Sequence, residues 1–282
     1  MIVSVASGKG GTGKTTLALM LALGATQVQV ADCDVEEPNC HLFMNPEIQK
    51  VKSVVISIPQ IRQENCNGCG DCVTVCRFSA MALAGGKAMV FPELCHSCGR
   101  GVLACKREAI REVPRRIGER MVGIGSGAYD HVRWIGGRID PGLPAAGPVI
   151  RAVREDLEAC ECTVIDCPPG TSCSMVTAVQ GSDVCLLVTE PNSFGLHDLE
   201  LALDVLREIG ITRCGVVVNK SENGEWRRRI QELCLKHEIP VIADIPYSRE
   251  WAAEYAGGIL PAEAKEWGRR IWEEVRLTWP LR

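Results

Sequence analysis

Met1-Ile2-Val3-Ser4-Val5-Ala6-Ser7-Gly8-Lys9-Gly10-Gly11-Thr12-Gly13-Lys14-Thr15-Thr16 reads as an apolar strand running into a glycine-rich loop, with Leu17 to Leu23 continuing as a helix. This is the strand–loop–helix context that a G-x-x-x-x-G-K-T phosphate loop requires. Glycines at 8, 10, 11 and 13 let backbone N–H groups turn inward around a polyphosphate, and the helix N-terminus adds its positive dipole end. Thr12 and Thr16 lie in the same loop, Lys14 is placed to reach the phosphates, and the Thr15 hydroxyl is placed to ligate Mg²⁺. A glycine-rich turn that merely precedes a helix would not need that lysine and threonine.

Lys9 adds a second lysine to the loop, where a solvated surface residue is the plain alternative. With it, the segment resembles the deviant P-loop ATPases of the MinD/ParA type, which include the nitrogenase iron protein and the Mrp-like iron–sulfur carriers. The resemblance implies that Lys9 crosses a dimer interface to the nucleotide of the other subunit, and hence a homodimer with ATP between its faces. It also implies an α/β fold with a mostly parallel sheet.

The chain has 282 residues, a net charge of −4 and 16 cysteines. Its length allows one large domain or two unequal ones. The charge gives no general attraction to nucleic acid or to an anionic membrane, so no nucleic-acid partner is expected. No apolar run is long enough to span a bilayer. Lys9 falls within a phosphate loop rather than a secretory leader, and the cytoplasm is the expected compartment. In a reducing compartment so many cysteines are not a disulfide framework. Nine are scattered, mostly beside apolar residues, and read as small buried hydrophobes.

Gln27 to Ala31 is a strand ending in Asp32-Cys33-Asp34-Val35-Glu36-Glu37-Pro38-Asn39. Carboxylates at the C-terminal end of a parallel strand sit where such sheets bind ligands. By the MinD resemblance, Asp34 orients or deprotonates the attacking water and Asp32 supports the Mg²⁺ shell. The run Glu36 to Asn39 resembles the subgroup that carries an inserted ferredoxin. Val51 to Ile58 is a further strand, closed by Pro59.

Seven cysteines then fall within forty residues. Cys66, Cys69, Cys72 and Cys76 form an unbroken C-x2-C-x2-C-x3-C run. This is the spacing of bacterial-type [4Fe–4S] ferredoxins, in which the fourth cysteine serves the other cluster. Zinc sites use pairs instead. Arg77 replaces the usual proline after Cys76. In the second run Cys95, Cys98 and Cys105 are in register, while Gly101 stands where a cysteine belongs. The resemblance to a two-cluster ferredoxin covers residues 61–112 and implies crossed ligand sets. Cluster one takes Cys66, Cys69, Cys72 and Cys105. Cluster two has only Cys76, Cys95 and Cys98, so a [3Fe–4S] cluster, a labile [4Fe–4S] cluster and an empty site all remain open. In this segment bases outnumber acids, so a partner that docks on acidic patches is not implied.

Val113 to Ile139 reads as strands or a hairpin, with Tyr129, His131 and Trp134 covering a core edge. The glycine- and proline-rich stretch 142–148 precedes a helix from about Val149. Cys162 to Asp166 is an apolar strand ending in an aspartate, placed to hold Mg²⁺ through water. Pro168-Pro169-Gly170-Thr171 resembles the second switch of Mrp- and MinD-like proteins. Lys14 and Asp166 are 152 residues apart; removing the 52 residues of 61–112 leaves 100, which suits an insertion into one domain. The expected organisation is therefore a P-loop domain of 1–60 and 113–282, interrupted by a small α+β ferredoxin-like domain at 61–112. Strands are expected at Val184 to Thr189, Cys214 to Asn219 and Ile239 to Ile245, with a helix at Leu196 to Ile209. By resemblance, Asn219 hydrogen-bonds the adenine and the loop at Pro246 closes over its other side. Glu263 to Leu277 reads as a last helix without a basic face, so no stable membrane anchor is expected.

The residues thus point to ATP or ADP, Mg²⁺ and [4Fe–4S] as cofactors and to ATP hydrolysis as the activity. One reading is a dimeric switch coupled to an iron–sulfur module, acting in electron transfer to a partner or in cluster assembly and delivery. Another is a cell-division or positioning ATPase of MinD type whose clusters sense redox state. A third, an ATP-dependent amidase or ligase, lacks a recognisable glutaminase segment.

Overall fold

Five strands have every residue buried or nearly so: β1 (Ile2–Ala6), β2 (Val28–Asp32), β8 (Cys162–Asp166), β9 (Val184–Thr189) and the greater part of β10 (Cys214–Ser221). Strands apolar on both sides belong inside a parallel sheet covered by helices. The computed structural model, which describes residues 1–143 and 145–280, has that sheet. Its strand order is β11-β10-β9-β1-β8-β2-β7-β6-β3, with β3 at Glu47–Ile61, β6 at Ile110–Ile124, β7 at Val132–Ile139 and β11 at Val241–Pro246. The seven strands from β11 to β7 run parallel. Gly125 N–H donates to Val132 O and Asp140 N–H to Ile117 O, so β6 and β7 form a hairpin.

The chain divides into two compact units. One comprises Met1–Val51, Arg120–Arg138 and Ile150–Arg282; the other comprises Lys52–Glu119 and Ile139–Val149. The second unit is wider than 61–112, because β3 and β6 run on past the boundary.

In the first unit, α1 (Lys14–Gly24) leaves the phosphate loop three residues earlier than the apolar run suggests. It lies against α10 (Ala264–Thr278), whose buried stripe is Ala264, Gly268, Ile271, Trp272 and Val275. A Cβ at Gly268 would overlap the Met20 carbonyl oxygen, so the two backbones touch. Trp272 Nε1 donates to Leu21 O at 2.8 Å, satisfying one of the carbonyls that the end of α1 leaves unpaired. The tail helix is thus a core element. Tyr129 and Trp134 are buried in the same core. Also here are α2 (Cys40–Met44), α6 (Cys173–Val179) and α7 (Ser193–Glu208). Two more, α8 (Glu225–Lys236) and α9 (Arg249–Ala256), were not expected from periodicity. The described part of stretch 142–148 leads into α5 (Gly147–Glu155); Pro144 lies outside the described residues.

The second unit holds α3 (Asp71–Thr74), the hairpin β4 (Met81–Ala84) and β5 (Lys87–Val90), and α4 (Arg100–Ala104). Cys72, Met81, Ala88 and Ile110 form its core. Its halves repeat in backbone detail. Gly70 and Gly99 precede the two short helices at φ 84° and 72°, and Ser79 and Glu108 have φ 53° and 51°. Ala80 N–H donates to Cys76 Sγ and Ala109 N–H to Cys105 Sγ, both at 3.3 Å.

Candidate functional site

The parallel register sets the acidic end of the nucleotide site. Asp32 and Asp166 are paired at the C-terminal ends of neighbouring β2 and β8, and Val5 of β1 is paired with Asp166. The phosphate loop leaves β1 just beyond, at the crevice where parallel sheets bind ligands. Thr15 Oγ1 lies 2.6 Å from Asp166 Oδ2 and 2.9 Å from Asn39 Oδ1. Asp32 accepts backbone N–H groups from Asp34, Asn39 and Cys40 at 3.1 to 3.2 Å, which folds the 33–40 loop back over it. Both carboxylates are fully buried, and burial pushes both above the usual carboxylate range; their mutual repulsion adds to this at Asp32. Asp166 Oδ1 has no hydrogen-bond partner. Two buried acids with an orphaned oxygen fit a divalent cation, which would remove the repulsion. Asp32, Asp166 and Thr15 are the residues that would hold Mg²⁺, as the sequence suggests.

Cys40 is the residue that sequence reading missed here. It is buried in the core, as the sequence suggests, and it also borders the acids: its Sγ lies 3.4 Å from Asp166 Oδ2, within the one group of three potential ligand atoms that, among the described residues, lie within 4.8 Å of one another. Its position depends on how α2 follows the folded-back loop, which no local signal reveals.

Lys14 is buried at the loop and lowers the tendency of Asp34 and Asp166 to hold protons. Asp34, partly buried on the same cavity, is pushed up to about 6, first by burial and then by Asp166, against the pull of Lys14. The cavity has a volume of about 350 Å³ and runs from Gly10–Gly11 and Gly13–Thr16 to Asn219, Pro246, Trp251 and Tyr255. Gly13, at φ 96°, allows Asn219 to sit directly on the loop: a Cβ there would overlap Asn219 Nδ2. Asn219 Nδ2 donates to Thr12 O at 2.8 Å, and Lys220 Nζ donates to Gly11 O at 2.9 Å. Trp251 and Tyr255 come from α9 and add an apolar wall. Ser248, which accepts the Trp251 N–H as an N-cap, was the available sign of that helix.

Gly8 packs on α7, since a Cβ there would overlap Asp198. Lys9 does not stand free. Its Nζ lies 3.8 Å from Glu190 Oε2 and 5.9 Å from the Phe194 ring centroid, while Glu190 Oε1 accepts from Lys220 at 2.6 Å.

In the second unit the cysteines fall into two sets. Cys66, Cys69, Cys72 and Cys105 line one small cavity together with Ile110. Cys76, Cys95 and Cys98 line another together with Met81 and Gly101. Cys69 and Cys98 are exposed and Cys72 is buried. Neither set brings three sulfurs within 4.8 Å of one another. A tetrahedral zinc at about 2.3 Å from each sulfur needs that closeness, so the spread sets do not suit a single zinc ion.

A glycine-rich loop between a buried strand and a helix, two strand-end aspartates and a cavity of nucleotide size define a P-loop ATPase. The chain belongs to the CobQ/CobB/MinD/ParA nucleotide-binding domain family, whose model matches residues 3–261. It is 28% identical over 254 residues to the uncharacterized protein MJ0578 of Methanocaldococcus jannaschii, covering 87% of this chain and 86% of that one. It is 24% identical to the uncharacterized ATP-binding protein MJ0547 of the same organism, over 86% of this chain and 73% of that one. Among solved structures it resembles the septum site-determining protein MinD of Pyrococcus horikoshii, solved with Mg-ADP, at TM-score 0.58, 18% identity and coverage of 99% and 97%. It also resembles McdA of Cyanothece, solved with ATP, at TM-score 0.57, 16% identity and coverage of 100% and 96%. These likenesses establish the fold; neither the family description nor these names mention iron or sulfur. No described helix is long and apolar enough to cross a membrane.

Proposed function

We propose that this chain is an ATP-driven switch of MinD/ParA type whose nucleotide cycle responds to the redox state of iron–sulfur clusters carried in its second unit. The observation that supports it most is the division of seven cysteines, four and three, between two cavities of one repeated unit. The division follows the crossed pattern that ferredoxin spacing implies. The donor set fits such groups: all seven are thiols, with backbone N–H groups of Ala80, Ala88 and Ala109 donating to Cys76, Cys66 and Cys105. Clusters there would supply one-electron redox chemistry.

In the nucleotide unit, Lys14 and the backbone N–H groups of the loop hold the phosphates. Thr15, Asp32 and Asp166 hold Mg²⁺ or its waters, Asp34 positions the attacking water, and Asn219 and Pro246 border the base. ATP brings two copies together, with Lys9 reaching the nucleotide of its partner. The likeness to MinD and McdA favours a positioning role for this switch. A second reading, electron transfer to a partner protein or delivery of a cluster to it, is favoured by the exposure of Cys69 and Cys98, which leaves a face of each set open to solvent.

The test is ATP hydrolysis by the anaerobically reconstituted chain, oxidised and then reduced with dithionite, beside the cluster-free chain. Coupling is expected to change the rate severalfold between the two redox states. Equal rates in all three preparations would overturn it. If instead an added one-electron acceptor is reduced only while ATP is hydrolysed, the second reading replaces the first.

A further inference from the structure

The two halves of the insert superpose in sequence by a shift of 29 residues, from Cys66 to Cys95. Under that shift the third ligand of the first set, Cys72, corresponds to Gly101, and Ile110 corresponds to Met81. Each cavity is bordered by one member of each pair. The first has Cys72 and Ile110; the second has Gly101 and Met81. The two differences sit together: where the second set lacks a thiol, the residue that corresponds to Ile110 is a longer, unbranched thioether.

Geometry shows where that thioether goes. A Cβ at Gly101 would lie 2.7 Å from Met81 Sδ and 3.5 Å from its methyl carbon. Met81 is 5% exposed and packs in the core of the unit with Cys72, Ala88 and Ile110, so its side chain is held there. The place that a Cβ at residue 101 would need is taken by the Met81 thioether, a neutral sulfur that supplies no thiolate charge to a fourth iron. His96, the other donor beside this cavity, lies flat on Phe78 with ring centroids 3.8 Å apart and planes 16° apart.

We propose that Met81 is a specificity-determining residue of the second site: it closes the fourth corner against both water and iron, so that Cys76, Cys95 and Cys98 hold a [3Fe–4S] cluster that does not accept a fourth iron. This rests on the iron–sulfur reading above. A glycine alone would leave an open corner, where water could complete a labile four-iron cluster. The buried thioether removes that option, and the anionic thiolates number three.

The test uses the full chain reconstituted anaerobically with iron and sulfide, followed by iron analysis and electron paramagnetic resonance. The parent is expected to hold about seven irons, four plus three, and to show the oxidised three-iron signal. Treatment with dithionite and excess Fe²⁺ supplies the one electron and one Fe²⁺ that convert [3Fe–4S]⁺ to [4Fe–4S]²⁺; the parent should resist this and regain its three-iron signal on reoxidation. Met81→Ala should take up the fourth iron under the same treatment and lose the signal. Met81→Leu keeps the volume without the sulfur and should behave as the parent, which guards against misfolding of the smaller variant. A parent that takes up the fourth iron overturns the closure, as does Met81→Leu losing the three-iron cluster. About four irons with no three-iron signal means an empty second site and overturns this proposal while leaving the iron–sulfur reading intact. No bound iron at all removes that reading itself.

Discussion

Asp34 carries a carboxyl of the nucleotide site that is raised towards neutrality. Its carboxyl is raised from 3.8 to about 6, burial being the larger cause and Asp166 the next. A raised carboxyl binds its proton more tightly in the folded chain than in the unfolded one. Its contribution to stability is therefore lost as pH rises through that interval and recovered on acidification. In the ligand-free chain, the urea midpoint should fall between about pH 4 and pH 6 by more than it does in Asp34→Asn, where this group no longer titrates. The same variant should bind ATP normally yet hydrolyse it more slowly by about 10²-fold or more, the usual worth of a positioned proton acceptor. Unchanged turnover would remove Asp34 from the reaction. Lys14, Thr15, Asp32, Asp34 and Asp166 could all be named from sequence because the loop motif and the strand-end aspartates are local patterns. Cys40 could not, because its approach to Asp166 is made by the tertiary path of the 33–40 loop.

Helix α10 was readable for the same reason the phosphate loop was: its apolar residues recur at helical spacing, and its acids offset its bases. Helices α8 and α9 leave little trace in the sequence because they bury so little. Only Ile230 and Cys234 of α8 are buried, and none of the residues of α9. The sequence also does not reveal how closely α10 meets α1. Gly24 and Gly268 face each other across the crossing, where a Cβ on either would overlap the opposing backbone. Gly268→Ala raises helix propensity but adds one methyl where there is no room. It should destabilise the chain by about 1–3 kcal/mol, read as a lower urea midpoint with an unchanged slope. Helix propensity alone would favour the alanine, so a raised midpoint would mean that the helices separate at no cost.

For the molecule as a whole, the sequence leads to an expected insertion at 61–112, whereas the fold divides off Lys52–Glu119 together with Ile139–Val149. The cysteine runs and the 152-residue gap between Lys14 and Asp166 carry that expectation, whereas β3 and β6 run past residues 61 and 112 without a break in pattern. Dimerisation is likewise suggested by one residue and conditioned by others that only the fold brings near. Lys9 is held within its own chain by Glu190, so reaching a partner's nucleotide requires that pair to open. The opening is cheap. The pair is loose at 3.8 Å, the lysine is 30% exposed, and ion pairs of this kind are worth about 0–1 kcal/mol. Glu190 is not left alone either, because Lys220 remains 2.6 Å from its other oxygen. A partner's γ-phosphate offers Lys9 a stronger, multiply charged acceptor than one shared carboxylate. In the Asp34→Asn chain, where ATP persists, light scattering should therefore show a monomer without nucleotide and a dimer with ATP and Mg²⁺. Adding Lys9→Ala should weaken that dimer by about tenfold, the equivalent of one charge-assisted contact of roughly 1.4 kcal/mol. A monomer that ignores ATP in the Asp34→Asn chain would rule out the ATP-sandwich dimer, and a dimer of equal strength with and without Lys9 would take this lysine out of its interface.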